Sequence, residues 1–313
     1  MERDEIVRTI RELRPWYHNI YLGNGIWTKD LKDPENIHPG MDIPRPLWNA
    51  IERVLPRNMT GMSALDVGCN AGFFSFKLRE RGARVLGIDS DQGATQSFIK
   101  QAEFCKLVLG LDVDFRRQGL LDLPESSQFD LILFLGVLYH LPNFCDGLDR
   151  LRRLCKPGGI VAVESQVATR SVTCYEGKGF RGDPTTFFVP SIGVLKTLLT
   201  EHGFAIEQSF RLGKERYFCL GVSRPHNKIY PGGRNRDATT THRGGRIQGS
   251  AVWELLRRFG SNSTRRFRDR LQRFVDHVVE KRPALVNAVN DQRIQLFKGR
   301  LATMEQQIFA RHY

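Results

Sequence analysis

The sequence predicts a doubly wound α/β domain with a seven-stranded, mostly parallel sheet, followed by a basic helical C-terminal extension. Between residues 64 and 222, apolar strand patterns alternate with helical patterns, as in parallel sheets covered by helices on both faces. The first apolar run leads into a turn containing Gly68 and Gly72, and the second run ends at Asp89. This arrangement is typical of a ligand-binding edge in such a sheet.

The elements follow in order from the spacing of apolar residues. Residues 1–14 predict a short amphipathic helix, residues 15–48 an irregular covering segment, and Trp48 to Leu55 a second helix. The predicted strands are 64–68, 84–88, 113–117, 129–135, 159–165, 205–210 and 216–222. The predicted helices between them are about 71–82, 92–108, 144–155 and 191–203. A turn is expected at Lys156-Pro157-Gly158-Gly159, ahead of the fifth strand.

Charge and composition divide the chain into four predicted parts. They are an N-terminal helix and aromatic cover (1–48), a cofactor-binding domain (49–225), a flexible basic linker (226–249) and a helical extension (250–313). The formal net charge is +13, and residues 224–313 carry 19 Lys or Arg against seven Asp or Glu. The apolar spacing in the extension predicts helices for self-association or docking, and its charge leaves nucleic-acid binding open.

Several classes of protein are disfavoured by the composition. The six cysteines form no C-x-x-C pair, and the N-terminus has no apolar signal region, so a cytoplasmic location is expected. No apolar run is long enough to predict a membrane span. The eight histidines show no metal-binding spacing, so no metal is expected.

The glycine turn predicts a site for an adenosine cofactor. An acid about 20 residues after such a turn can accept hydrogen bonds from ribose hydroxyls, which suits Asp89. The glycine spacing differs from that of dinucleotide sites, and the carboxylate of Asp66 suits an ammonium group, which S-adenosyl-L-methionine has and NAD lacks. Asn70 has two interpretations, contact with the methionine portion or helix capping. The residues predicted to hold the cofactor here are Asp66, Gly68, Asn70, Gly72, Asp89 and Ser90.

Two further segments are predicted to complete the site. Leu121 and Asp122 follow the third strand, where an adenine pocket would form, although a solvated loop is an alternative. The run that contains Leu135, Gly136, Tyr139 and His140 ends the fourth strand and would face the ligand crevice.

His140 is a candidate general base for removing a proton from an acceptor hydroxyl, because its ordinary pKa lies near neutral pH. The alternative to a catalytic role for His140 is a packing role. The glycine-interrupted segment 165–190 predicts a substrate lid, with a plain surface insertion as the alternative.

These motifs resemble those of the class I S-adenosylmethionine-dependent methyltransferases, which have a Rossmann-like fold. Within that class, residues 15–224 are most similar to the tRNA wobble-uridine methyltransferase-like family, whose best-known member transfers a carboxymethyl group to hydroxyuridine. The narrower motifs are Gly136-Val137-Leu138-Tyr139-His140 and Phe188-Val189-Pro190-Ser191. The resemblance implies that Tyr139 lies at the transferred group and Arg216 at the extra carboxylate of a carboxylated cofactor.

The chain departs from that family at two lysines. It has Trp16-Tyr17-His18-Asn19 and Leu47-Trp48 where the carboxymethyl enzyme has a lysine near each tryptophan. Because a doubly charged cofactor would lose two cations there, ordinary S-adenosyl-L-methionine is predicted. The predicted function is O-methylation of a small-molecule or glycan hydroxyl. Alternatives are an RNA-modifying enzyme and a non-catalytic cofactor-binding scaffold.

Overall fold

The computed structural model describes residues 1–91, 97–174, 179–180 and 183–224, and the structural statements below concern these residues. The helices are α1 (Arg3–Glu12), α2 (Pro44–Ile51), α3 (Phe73–Glu80), α4 (Phe98–Leu109), α5 (Phe144–Leu154) and α6 (Ile192–Glu201). The strands are β1 (Tyr21–Gly23), β2 (Ile26–Trp27), β3 (Ser63–Val67), β4 (Arg84–Asp89), β5 (Asp114–Arg117), β6 (Phe129–Leu135), β7 (Cys155–Gln166), β8 (Val172–Thr173), β9 (Phe188–Val189), β10 (Phe204–Arg211) and β11 (Arg216–Ser223).

Seven of these strands form the central sheet, in the order β10-β11-β7-β6-β3-β4-β5. The neighbours from β7 to β5 are parallel, whereas β11 pairs antiparallel with both β7 and β10. The chain proceeds from β3 towards β5 on one side and from β6 towards β7 on the other. This reversal creates a crevice at the carboxyl ends of β3 and β6, where open α/β sheets bind ligands. The doubly wound sheet predicted from the sequence is confirmed.

Two predicted boundaries were wrong for local reasons. The helix expected from Trp48 begins at Pro44, because a proline in the first helical turn sacrifices no intrahelical hydrogen bond. The turn expected at residues 156–159 lies inside β7, where the pairing shifts between Phe129↔Cys155 and Leu131↔Ile160. Gly158, with φ of 77°, accommodates this irregularity.

The N-terminal segment packs onto the sheet domain through α4. The indole Nε1 of Trp16, which is fully buried, donates to the Ile10 carbonyl at 2.8 Å. Gln101 Nε2 donates to the carbonyls of Leu13 and Pro15 at 2.7 and 2.9 Å. This cover also contains the short antiparallel pair β1 and β2, in a region predicted to be irregular.

The predicted linker (226–249) and helical extension (250–313) lie outside the described residues, together with the oligomer and nucleic-acid interpretations based on them. Across the part of the chain that is described, no helix combines the length and apolar character that crossing a membrane requires.

Candidate active site

The carboxyl ends of four neighbouring strands converge at the crevice. Val67 of β3 pairs with Ile88 of β4, one residue before Asp89, and with Phe134 of β6. Leu135, at the end of β6, pairs with Glu164 of β7. Tertiary structure therefore gathers here most of the side chains that the sequence predicted to bind or react.

The glycine turn after β3 packs closely against the turn after β6. Gly68 has a φ of 69°, and a Cβ built there would lie 2.7 Å from Val137 Cγ2. Neither the backbone angle nor the space would accept a larger residue, so glycine is required at this position. Gly72, with φ of 88°, instead faces the rings of Phe115 and Phe76, which a Cβ would meet at 2.7 and 3.0 Å.

Asp89 organises the glycine turn through two backbone amides. Its Oδ2 accepts a hydrogen bond from Asn70 N–H at 3.0 Å, and its Oδ1 accepts one from Asp91 N–H at 2.9 Å. A carboxylate offers about four lone-pair positions, so two remain for ribose hydroxyls. The side-chain oxygen of Asn70 accepts from Ala71 N–H at 2.8 Å, which holds the turn in shape.

Asp66 is buried beneath this turn. Its Oδ2 accepts a hydrogen bond from Ser75 Oγ of α3 at 2.6 Å. Burial raises the pKa of the Asp66 carboxyl to about 7, against the opposing hydrogen bond from Ser75. Because this pKa lies near neutral pH, the carboxyl can lose its proton when a positively charged group of a ligand binds beside it.

This pKa predicts a pH-dependent affinity for S-adenosylhomocysteine. If ionised Asp66 meets the ammonium group, affinity rises as pH increases from about 5.5 through 7 and levels off at about pH 8, because the carboxyl must lose its proton to pair. Calorimetric titration across this range measures the dependence. Asp66→Asn should bind more weakly and without the pH dependence, whereas a flat profile in the unaltered protein contradicts the pairing.

An ion pair lies across the end of β6. Arg216, at the start of β11, donates from Nε and Nη2 to the two oxygens of Glu164 at 2.5 and 2.6 Å. Its Nη1 donates to Tyr139 Oη at 3.1 Å. Glu164 is fully buried. Burial lowers the pKa of Arg216, but the charge and hydrogen bonds of Glu164 and the nearby phenols of Tyr139 and Tyr17 together outweigh burial, so the pKa of Arg216 is raised. A Cβ on Gly136 would lie 3.4 Å from Arg216 Nη2 and 3.5 Å from Tyr139 Oη.

The N-terminal cover supplies residues that the sequence did not predict for the site. Burial raises the pKa of Tyr17, and the charges of Arg216, Glu164 and Asp183 act on this phenol. The ring of the next residue, His18, packs edge-to-face with that of Phe74, and its Nδ1 has no hydrogen-bond partner among the described residues. Burial, reinforced by the charge of Lys29, lowers the pKa of His18 to about 3, so this imidazole is neutral at physiological pH.

The segment before β9 covers Tyr139 and His140. Phe187 N–H donates to the Tyr139 carbonyl at 2.8 Å, and Phe188 of β9 stacks on Phe144 of α5. His140 Nδ1 lies 2.9 Å from Thr185 Oγ1 and 3.2 Å from the Thr185 carbonyl oxygen. The described part of the predicted lid therefore contacts the candidate base directly.

The remaining predicted residues lie at the rim. Leu121 is 47% exposed in a short 3-10 helix, Leu120–Asp122, and Asp122 Oδ2 accepts from Gly119 N–H at 3.2 Å. Ser90 follows Asp89 and is exposed. Neither the adenine role of Leu121 and Asp122 nor a ribose role of Ser90 is tested by these contacts, and both stay predictions.

The residues present fit an adenosine cofactor that carries an amino acid. Asp89 retains acceptor positions, Asp66 is an acid near the turn, and Gly68 and Gly136 leave the backbone bare where a Cβ would fill the crevice.

Comparison with known proteins identifies the same kind of domain. Residues 42–209 match a family model described as a methyltransferase domain. Over 211 residues the chain is 30% identical to a tRNA U34 carboxymethyltransferase from Klebsiella pneumoniae, which covers 64% of this chain and 57% of the relative. A tRNA U34 carboxymethyltransferase from Campylobacter jejuni is 26% identical over 211 residues, 64% of this chain and 66% of that protein. The chain thus spans somewhat more than half the length of these curated relatives.

Among solved structures, the N-terminal domain of EvdMO1 with S-adenosylhomocysteine bound has a similar fold. It superposes with a TM-score of 0.53 and 20% identity, covering 72% of this chain and 97% of that one.

Proposed function

From the premise that this chain belongs to the methyltransferase domain family and is an S-adenosylmethionine-dependent methyltransferase, we propose that it methylates a hydroxyl oxygen on the wobble uridine of tRNA. The observation that carries the proposal is the contact between Arg216 and Tyr139. The resemblance to the wobble-uridine family gives both residues a role at the transferred group. Although they are 77 positions apart in sequence, Arg216 Nη1 donates a hydrogen bond to Tyr139 Oη at 3.1 Å. The names of the relatives from Klebsiella and Campylobacter support the same acceptor.

The charges at the site favour the ordinary cofactor over the carboxylated one. The positive charge of Arg216 is balanced by Glu164, with which it forms a two-point contact. His18 belongs to the segment Trp16-Tyr17-His18-Asn19, which replaces one lysine-bearing segment of the carboxymethyl family, and its low pKa leaves it uncharged. A second carboxylate on the cofactor would therefore add an unbalanced anion beside Glu164.

The chain's own residues have positioning and proton-transfer roles in this proposal. When bound, the cofactor supplies a methyl group on a positively charged sulfur, so the acceptor oxygen needs alignment and a base rather than a covalent partner. Tyr139, held by Arg216, presents its phenol beside Gly136 and borders the reacting position. His140 takes the proton of the acceptor hydroxyl. The described part of the 165–190 segment, which packs on Tyr139, excludes water.

A small-molecule or glycan hydroxyl is the second candidate acceptor. The observation that favours it is coverage, since more than a third of the Klebsiella relative has no counterpart in the alignment.

The test uses the full chain, S-adenosylmethionine with a trideuterated methyl group, and tRNA that carries hydroxyuridine at the wobble position. Mass spectrometry of the digested nucleosides should show a trideuteromethyl group on that uridine. The matched control is the same tRNA with unmodified uridine, which has no hydroxyl at the reacting position. Absence of label from the hydroxyuridine tRNA would reject the tRNA acceptor. When the ordinary and carboxylated cofactors compete in the same reaction, preference for the carboxylated one would reject the charge argument.

A further inference from the structure

The contacts of His140 identify a hydrogen-bond chain through the segment that covers the crevice. Thr185 Oγ1 lies 2.5 Å from Asp183 Oδ1 and 2.9 Å from His140 Nδ1. The backbone N–H of Thr185 also donates to Asp183 Oδ1 at 2.9 Å, which fixes the turn that carries both residues. Hydrogen bonds thus connect the side chains of Asp183, Thr185 and His140 in series, although they come from two separate segments.

The position of the protons follows from what each atom can donate. The Thr185 carbonyl oxygen, 3.2 Å from His140 Nδ1, only accepts hydrogen bonds, so this nitrogen must carry a hydrogen. Asp183, when ionised, also only accepts, so the Thr185 hydroxyl hydrogen points to Asp183 and the hydroxyl oxygen accepts from Nδ1. If Nδ1 instead carried no hydrogen and the Thr185 hydroxyl donated to it, two pairs of acceptor atoms would face each other. These pairs are Nδ1 with the Thr185 carbonyl oxygen, and Thr185 Oγ1 with Asp183 Oδ1.

We propose that Asp183, Thr185 and His140 form a relay that keeps the proton of the neutral imidazole on Nδ1 and leaves the lone pair of Nε2 as the base for the acceptor hydroxyl. The inference rests on the proposed function for its substrate. During transfer the acceptor oxygen bonds to the methyl carbon, the electron pair of the breaking carbon–sulfur bond stays on sulfur, and the acceptor proton moves to Nε2 of His140. Thr185 and Asp183 are positioning residues in this step.

The surrounding charges suit a base of this kind. Burial lowers the pKa of His140, which keeps the imidazole neutral and ready to accept a proton near neutral pH. The negative charge of Asp183 raises the pKa of His140 and so stabilises the imidazolium that forms. The positive charge of Arg216 lowers this pKa and so destabilises the imidazolium. Burial raises the pKa of Asp183, but the two hydrogen bonds from Thr185, with smaller contributions from His140 and Thr186, together outweigh burial and lower the pKa of that carboxyl. Tyr139, whose ring centroid lies 4.2 Å from that of His140, also faces the imidazole.

The first measurement requires no substrate. Long-range proton–nitrogen correlation NMR of the full chain, labelled at histidine nitrogens, reports which ring nitrogen carries the hydrogen. His140→Gln assigns the signal among the eight histidines. We expect the Nδ1–H form for His140 at pH 7.5. A dominant Nε2–H form would overturn the relay whether or not tRNA is the acceptor.

The second measurement separates positioning from folding. Asp183→Asn keeps the shape and an acceptor for Thr185 but removes the charge, so the pKa of His140 should fall and the acidic limb of the activity profile should move to lower pH. Thr185→Val should lower kcat about 10-fold with little change in KM, and Thr185→Ser should restore it. An unchanged pH limb in Asp183→Asn, or equal activity of the Val and Ser variants, would contradict the relay.

The two proposals fail in different ways. An Nδ1–H tautomer together with unlabelled hydroxyuridine tRNA would support the relay and reject the tRNA acceptor. Labelled tRNA together with the Nε2–H tautomer would support the acceptor and reject the relay.

Discussion

Replacing Arg216 by methionine lowers the free energy of unfolding by about 3–5 kcal/mol, because it leaves the buried Glu164 carboxylate without its counter-charge. The cost arises from the unpaired partner rather than from the lost attraction alone. Denaturant unfolding followed by circular dichroism measures it. Tyr139 also loses its donor in this variant, so the crevice loosens on both sides of Gly136.

The double replacement Arg216→Met with Glu164→Leu tests this reason. Removing both charges leaves no buried ion, so most of the lost stability should return. Arg8→Ala is the matched control, because the Arg8–Glu12 pair is exposed and its loss should change the free energy of unfolding by less than about 1 kcal/mol. A double variant as unstable as Arg216→Met would show that the buried charge is not the cause.

Replacing Asp89 by alanine weakens binding of S-adenosylhomocysteine by about 100-fold or more. Each hydrogen bond between a carboxylate and a ribose hydroxyl contributes ~1.5–3 kcal/mol, and two such bonds are lost. The variant also removes the acceptor for the Asn70 and Asp91 amides, so the glycine turn loses its support. Isothermal titration calorimetry of the full chain measures the affinity.

Two controls define this result. Asp112→Ala removes an exposed acid that precedes β5 and should leave the affinity unchanged. Asp89→Asn keeps an oxygen acceptor for one amide and one hydroxyl, so its affinity should lie between those of the unaltered protein and the alanine variant. Affinity that is unchanged in Asp89→Ala would remove the ribose assignment.

The sheet could be predicted from the sequence because its signals are local. Most of the strands that build it are rich in apolar residues, although β5 has only Phe115, and their observed ends differ little from the predicted ones apart from the start of β7. Short elements escaped prediction. β1 has three residues and β2 has two, so both strands are too short for alternation to be visible, and their pairing depends on residues across the turn.

By itself the sequence determined the sheet and indicated one side of the candidate site, because Asp66, Gly68, Asp89, Gly136 and Tyr139 all lie at or shortly after the carboxyl ends of strands in a pattern whose geometry is general. Only the tertiary structure decided which side chains these residues contact. Glu164 appears as one acid in an apolar strand until folding brings it to Arg216, 52 residues away. Tyr17, Asp183 and Thr185 lie in segments without periodicity. Their contacts depend on chain crossings that no local pattern encodes, because a side chain's partner is set by the three-dimensional path of the backbone.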